Sequence, residues 1–406
     1  MNEFRHIMQS VLKNKTAETW ISLMLLSIFA GLLVSRAILS FASILIVVPF
    51  FFYFRSMRPT YYLPLAFLFI PVLVSGLWSG NTQLWWNSFS VKIPLLTMML
   101  GLYSVPLSQK RRQLLIWVIL IATIAGCCWS LLQYSPAVRD AYLKAKTLPT
   151  PMGNDHVRFS WLVVVVILFA VSLFVNITGK VKKWALLFCI AFLVIYLHIL
   201  AAKTGLVCLY LAAFVCLIHF IFFQKKWKAG LMIFFIGIIT AATCYYTMPT
   251  LRNRAQYVMY DLRLYSSGDI QPGYSDAGRW LSMRAGYDIM QDNPASGVGF
   301  GDILSEVNRW HEEHHPLSLT NERFLPANEW LVYGSGSGWP GILCFTAGLL
   351  LLLYITTQKN NALSVALSIT SLVPFLIDDT LEGQYGVVIL AFIVFFGQQR
   401  STDNIA

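Results

Sequence analysis

Apolar runs of close to 20 residues recur along the whole 406-residue chain. A helix of that length rises about 1.5 Å per residue and therefore crosses the ~30 Å hydrocarbon layer of a bilayer. Hydrophobic residues make up 57% of the chain and charged residues only 12%, whereas soluble domains carry about 25% charged residues. The sequence predicts an all-α polytopic membrane protein.

Hydropathy predicts about twelve transmembrane helices in a single membrane domain, residues 1–406. The predicted spans are 20–34, 38–54, 61–79, 91–105, 114–134, 159–175, 184–201, 205–223, 230–248, 328–355, 361–377 and 385–398. The segment 249–326, between the ninth and tenth spans, is the longest polar connection. We expect it to form a large helical loop, a lid that covers a site at the membrane surface.

The formal charge of +11 is explained by membrane topology and does not indicate a nucleic-acid partner. Lysines and arginines cluster in alternate short loops, among them 110–112, 180–183 and 225–228. Loops rich in these residues stay in the cytoplasm during insertion. Both termini are therefore predicted to be cytoplasmic, and the segment 249–326 is predicted to lie on the other side of the bilayer.

Two amphipathic helices are predicted inside this long segment. The stretch "SDAGRWLSMRAGYDIMQDNP" places Trp280, Met283 and Tyr287 at helical spacing and stops at Asn293-Pro294. A glycine-rich turn, "SGVGFGD", follows. The second helix lies in "DILSEVNRWHEEHHP", with one apolar stripe made of Ile303, Val307 and Trp310.

We expect neither a metal nor a cofactor. The seven cysteines contain no C-x-x-C pair. The string "HEEHH" at 311–315 has the histidine spacing of some zinc sites, but its acidic residues favour a solvated helix face.

Isolated basic residues mark the predicted outer face. Lys203 in "HILAAKTGLVC" stands between two apolar spans, where an ionisable group is costly unless it faces water or a ligand. Its alternative role is to extend to the interface without binding anything. Arg279 lies off the helical row on which Arg284 has its neighbours, and it is predicted to bind a ligand. Arg284 is explained structurally by stacking on Trp280 and pairing with Asp288.

Two further polar clusters are predicted on the same side. In "TPMGNDHVRFSW", His156 stands between Asp155 and Arg158, as a base with its orienting partner would; a hydrated loop with a helix cap is the alternative. In "IDDTLEGQYG", the acids at 378, 379 and 382 are suited to a divalent ion or to countering the arginines. Solvation of a loop end is the alternative.

Two stretches resemble motifs of the O-antigen ligase/O-antigen polymerase superfamily of bacterial membrane glycosyltransferases. They are "GRWLSMRAGYDIMQDNPASGVGFG" and "ANEWLVYGSGSGWPG". In the second, Asn328 is followed after nine residues by Gly338 and then Gly341, as in the family pattern His-Asn-x9-Gly-x-x-Gly. The resemblance covers most of the chain, including the span count and the position of the largest outer loop. The chain departs from the pattern at Ala327, where the family has histidine, and at Lys203, where it has arginine.

This resemblance implies transfer of a glycan from undecaprenyl diphosphate to an acceptor hydroxyl at the periplasmic face of the bacterial inner membrane. The reaction would be inverting and independent of metal. The acceptor stays open between lipid A–core (a ligase), a second lipid-linked glycan (a polymerase) and a protein (an O-oligosaccharyltransferase). The glycines of the second motif would let helix backbones and a bulky lipid-linked sugar approach closely.

The roles implied for individual residues follow from the same resemblance and from their charges. Lys203 and Arg279 are assigned to the diphosphate, with Arg158 as a third cation. His156 and Glu329 are the candidates for the base that replaces the family histidine. Asn328 and Glu329 are expected to face the cavity under the lid, and the remaining candidates are Arg284 and Asp379.

Two functions of other classes remain as alternatives. A transporter of lipid-linked glycans would favour repeated halves with helices broken at mid-membrane, whereas the sequence has no internal repeat and its polar residues gather at one face. A non-catalytic assembly partner is the second alternative, because Ala327 removes the family's histidine.

Overall fold

The computed structural model describes residues 2–52, 59–105, 107–136, 138–139, 148–267, 275–316, 318, 323–357 and 362–396. The helices are α1 Asn2–Val34, α2 Arg36–Leu45, α3 Val48–Phe52, α4 Pro59–Ser75, α5 Thr82–Ser104, α6 Gln109–Leu132, α7 His156–Asn176, α8 Lys180–Leu200, α9 Lys203–Ile218, α10 Trp227–Thr247, α11 Pro249–Ser267, α12 Ser275–Asp292, α13 Ile303–His314, α14 Glu329–Thr357, α15 Ala362–Ile377 and α16 Gln384–Ala391. Short π-helical turns, His219–Phe223 and Phe392–Phe396, extend α9 and α16. The described part of the chain contains no strand.

Helical segments lie in all twelve predicted spans, although the span 38–54 is divided between α2 and α3. Among the described residues, seven helices are long and apolar enough to cross a membrane, and four apolar segments of 10–17 residues accompany them. The predicted span 91–105 lies inside α5, which also carries Lys92 and is not among those eleven segments. The fold is thus that of an all-helical, polytopic membrane protein.

Helix α7 is the central helix of the bundle. Buried residues make up 72% of its most apolar window, against 12–39% for the other long spans. Its residues from Phe159 to Ala170 are all buried, including four consecutive valines, and it packs against α6, α8, α9 and α15. A helix that is apolar on all sides suits either lipid or a protein interior, and here other helices cover most of it. The polar residues at its start are therefore held at a fixed place in the structure.

The glycine-rich segments form a backbone junction between the lid and α14. Helix α14 breaks at Ser337-Gly338, where the backbone leaves helical geometry. The N–H groups of Val298 and Gly299 donate to the carbonyls of Ser335 and Gly336 at 2.8 and 3.0 Å. The Trp339 N–H donates to the Pro294 carbonyl at 2.9 Å on the other side of the break. Groups that a continuous helix would pair internally are thus satisfied by the lid.

These glycines are close to protein backbone. At Gly297 an added Cβ would contact Ser337 and Gly336, and at Gly301 it would contact Asn81. Both glycines belong to the turn 296–302. Of the second motif, Gly338 lies against the Pro294 carbonyl. The approach of a lipid-linked sugar to that motif stays a prediction.

A second attachment ties the lid to the loop before α5. The Asp302 carboxylate accepts hydrogen bonds from Gly80 N at 2.6 Å and Asn81 N at 3.1 Å. The Gly301 N–H donates to Ser79 Oγ at 3.0 Å. The turn between α12 and α13 is therefore fixed to the bundle on two sides.

Both predicted lid helices are present, but the prediction for α12 chose the wrong face. Trp280 and Tyr287 are 44% and 49% exposed. The buried stripe instead consists of Ala277, Leu281, Ala285 and Ile289. At Gly286, beside this stripe, Pro326 and Leu331 approach α12 closely. In α13 the predicted stripe of Ile303, Val307 and Trp310 is buried, as expected.

Replacing Gly338 by alanine should destabilise the protein. Gly338 has φ 66° and ψ −157°, and an added Cβ would lie 2.8 Å from the carbonyl carbon of Pro294. That backbone region is accessible almost only to glycine, so we expect a loss of about 1–3 kcal/mol, measured as a lower thermal midpoint in detergent. Gly237→Ala in α10 is the control, because an added Cβ there meets no described atom within 4 Å. Equal thermal midpoints for the two variants would show that the break in α14 does not require glycine at position 338.

Candidate functional site

Arg158 lies at the start of α7 and binds three carboxylates. Its Nη1 is 2.7 Å from Asp155 Oδ2 and 3.5 Å from Asp378 Oδ2, and its Nη2 is 3.3 Å from Asp379 Oδ1. Nη2 also donates to the Asp379 carbonyl at 2.9 Å. Asp155 in addition caps α7, since its Oδ1 accepts from Arg158 N at 3.0 Å. Two predicted polar clusters, far apart in sequence, thus form one site.

The turn between α15 and α16 encloses the Arg158 guanidinium. Gly383 leaves no room for a side chain, because an added Cβ would lie 3.2 Å from the guanidinium carbon. Burial, with the neighbouring acids Asp378 and Glu382, raises the pKa of Asp379 to about 7, although Arg158 acts in the opposite direction. The charge of the site therefore changes close to neutral pH.

A second buried charge cluster lies behind this turn. Lys92 Nζ is 2.5 Å from Glu382 Oε1, and both side chains are almost fully buried. Ser88 Oγ donates to the other oxygen of Glu382. Glu329 is fully buried, and its Oε2 accepts from Leu381 N at 2.9 Å. The prediction that Glu329 faces an open cavity is wrong, because the first turn of α14 directs this carboxylate against the turn 380–382.

Two side chains bind the carbonyl end of α15. Arg279 Nη1 donates to the Ile377 carbonyl at 3.0 Å, and Asn328 Nδ2 donates to the Leu376 carbonyl at 3.1 Å. The last carbonyls of a helix lack internal partners and carry partial negative charge, which favours a cation there. Next to Asn328, Ala327 is buried, and its N–H donates to Ser282 Oγ on the lid. Arg279 thus contacts Ile377, the residue directly before Asp378.

Cationic and acidic groups both lie within electrostatic range of His156. The charges of Arg254 and Arg279 and the carboxylates of Asp155 and Asp378 all act on its ring. The ring is partly exposed, in contrast to the fully buried Glu329.

Arg254 connects this cluster to the end of α8. Its Nη1 donates to the Ala201 carbonyl at 2.5 Å, two residues before the exposed Lys203. Arg254 is one of several arginines in a polar stretch, and nothing in the neighbouring sequence distinguishes it from Arg252. The sequence therefore does not predict its position. Lys203, Arg254 and Arg279 therefore all belong to the end of the bundle that holds His156.

The other candidates have structural surroundings. Arg284 is 65% exposed and pairs with Asp288 at 3.5 Å, in agreement with the structural interpretation of its sequence. In the "HEEHH" segment, His314 stacks on Trp310 with ring centroids 4.7 Å apart. Within the described residues, no group of three histidine, cysteine or acidic side chains is arranged to hold a metal ion.

Comparison with known proteins supports the resemblance seen in the sequence. Residues 190–346 match the family model described as O-Antigen ligase. The matched segment contains Lys203, Arg254, Arg279, Asn328 and Glu329, whereas His156 and the acidic turn lie outside it. No curated protein gave a significant match to the chain. Over residues 190–346 the chain thus resembles the O-antigen ligase/polymerase superfamily of bacterial membrane proteins.

Proposed function

We propose that the protein transfers a glycan from undecaprenyl diphosphate to an acceptor hydroxyl at the periplasmic face of the bacterial inner membrane. The observation that carries this proposal is that two guanidinium groups and two carboxylates are near enough to His156 for their charges to act on its ring. Such a transfer needs cations and a base at one site. The acceptor we favour is lipid A–core, because the matched family is described as O-antigen ligase. A polymerase or a protein O-oligosaccharyltransferase would use the same arrangement.

The cations Lys203, Arg254 and Arg279 are assigned to the diphosphate. As the bond between the sugar and the diphosphate breaks, negative charge grows on the leaving oxygen, and fixed cations stabilise it. An arginine fork fits two phosphate oxygens at once, whereas Lys203 supplies a single point charge. Their charge takes the place of a metal ion in this proposal, and no cofactor is needed.

Arg158 has a different role from the one first predicted. Its two terminal nitrogens are within 3.5 Å of three carboxylates, so binding a phosphate would require breaking these pairs. We assign Arg158 to holding Asp155 and the acidic turn in place beside His156. Losing one partner of a buried ion pair typically costs about 3–5 kcal/mol, so this cluster is expected to be rigid.

His156 is assigned as the general base. A base must reach the acceptor hydroxyl directly or through one water, which the partly exposed His156 ring can do. The acceptor oxygen forms a bond to the anomeric carbon as the bond to the diphosphate oxygen breaks on the opposite face. The hydroxyl proton passes to His156, undecaprenyl diphosphate leaves, and the anomeric configuration is inverted. Glu329 instead positions the turn 380–382 through Leu381.

Replacing Arg279 by alanine should abolish transfer while the protein still inserts and accumulates. Loss of a preorganised donor to the leaving group costs about 100- to 1,000-fold in rate. Transfer is measured with purified protein, a lipid-linked glycan and acceptor in liposomes. Arg279→Lys keeps a cation near Ile377 and should retain more activity. The control is Arg309→Ala, which removes an arginine that is 66% exposed and pairs with Glu306. Full activity of Arg279→Ala would remove this assignment.

Substitutions at His156 and Glu329 should separate the two candidate bases. His156→Ala is expected to lower kcat by about 100- to 10,000-fold, because a positioned base contributes that much. Glu329→Gln keeps an oxygen that can accept from Leu381 N, so kcat should fall less than about 10-fold. The reverse order of effects would make Glu329 the base.

A further inference from the structure

A cavity of about 500 Å³ lies beside Arg158 at the start of α7. Helices α2 and α5 and the start of α16 surround it, and Asp155, Arg158 and Glu382 contribute to its wall. Small-molecule sites typically enclose roughly 300–1,000 Å³, so the cavity has the size of a ligand site. It shares a wall with the proposed catalytic site, yet the transfer chemistry uses none of its other residues.

Arg36 gives this cavity a positive charge. Its Nε donates to Tyr385 OH at 3.3 Å, and its guanidinium carbon lies 5.1 Å from the Tyr385 ring centroid. Within the part of the chain that the structure describes, no carboxylate forms an ion pair with Arg36. The two acids in the cavity wall already have cationic partners, since Asp155 pairs with Arg158 and Glu382 with Lys92. The exposed guanidinium of Arg36 is therefore the charge that a ligand would meet.

The rest of the wall offers hydrogen-bonding groups of the kind that bind hydroxyls. Ser40 and Ser90 contribute side-chain oxygens, and Gln384 Nε2 donates to Ser40 Oγ at 2.8 Å. Apolar side chains, among them Ile93 and Pro94, complete the lining. Close to Arg36, Gly153 has φ 66°, and an added Cβ would lie 3.5 Å from an Arg36 nitrogen. Hydroxyl and amide groups beside Arg36, set among apolar side chains, match a sugar that carries an anionic group.

We propose that this cavity, the Arg36 pocket, binds an acidic sugar residue, one carrying a carboxylate or phosphate, during glycan transfer. The sugar's anionic group would pair with Arg36, and its hydroxyls would contact Ser40, Ser90 and Gln384. Asp155 lies in the pocket wall and directly precedes His156, so the bound sugar would be adjacent to the reacting one. This inference rests on the proposed function only in taking the substrate to be a glycan.

The first test measures binding without any transfer. Methyl glucuronide and methyl glucoside are titrated into the purified full-length protein, and binding is followed by saturation-transfer NMR. The wild type should bind the glucuronide at least about 10-fold more tightly, and Arg36→Gln should abolish this preference. Ser90→Phe, which fills the pocket, should weaken both ligands. Arg309→Gln removes a surface charge and should change neither. A wild type without preference, or an unchanged preference in Arg36→Gln, would overturn the proposal.

The second test identifies which substrate supplies the sugar. In the transfer assay, Arg36→Gln should raise the KM of one substrate about 10-fold with little change in kcat, as loss of uniform binding does. A raised KM for the lipid-linked donor places the donor glycan in the pocket, and a raised KM for the acceptor places the acceptor there. An unchanged KM for both would contradict the proposal. Arg279→Ala should still bind the glucuronide, so failure of the transfer mechanism and failure of the pocket give different results.

Discussion

The ion-pair cluster around Arg158 is the interaction on which the site depends. One guanidinium at the start of the most buried helix binds carboxylates from its own N-terminus and from the turn after α15. Charges removed from water are tolerated only when they are paired. Three carboxylates and one cation leave an excess of negative charge, which Arg254 and Arg279 offset near His156.

Backbone hydrogen bonds and side-chain contacts both attach α12, α13 and the turn between them, the predicted lid, to the bundle. Its glycine turn pairs with the break in α14, its Asp302 binds the loop at 80–81, and its Arg279 binds the last carbonyl of α15. Each attachment uses groups that a helix end or break leaves without internal partners. The lid helix that carries Arg279 is consequently fixed relative to α7 and the acidic turn. Such fixed geometry is what electrostatic stabilisation of a leaving group requires.

Local sequence patterns predicted the helices well and the site only in part. Helical segments lie at all predicted spans, and both helices predicted within 249–326 are present, because hydropathy and apolar periodicity are local properties. His156, Arg158, Arg279 and Asp379 were correctly expected on one side of the bundle. Their mutual contacts, such as that of Arg158 with Asp379, join residues more than 200 positions apart, and no local pattern encodes them.

The errors and omissions have specific physical causes. Glu329 begins a helix, where a carboxylate can turn to either side, and it points into the core because Leu381 N is there to bind it. Helix α12 buries the stripe with Leu281 and Ile289 and leaves Trp280 exposed, because both faces of this helix carry apolar residues and the sequence alone does not tell which one meets the bundle. Lys92, Arg36 and Arg254 were not singled out, because each acquires its surroundings from distant segments.

Direct binding of undecaprenyl diphosphate tests most directly whether this end of the bundle binds a lipid-borne diphosphate. The ligand carries no sugar and is titrated in lipid nanodiscs against wild type and a Lys203→Ala/Arg254→Ala/Arg279→Ala triple variant. Charge-assisted hydrogen bonds contribute about 1.5–3 kcal/mol each. We therefore predict that the wild type binds saturably and that the affinity of the triple variant is at least about 100-fold lower. Equal affinity of the two proteins, with both correctly folded, would contradict it.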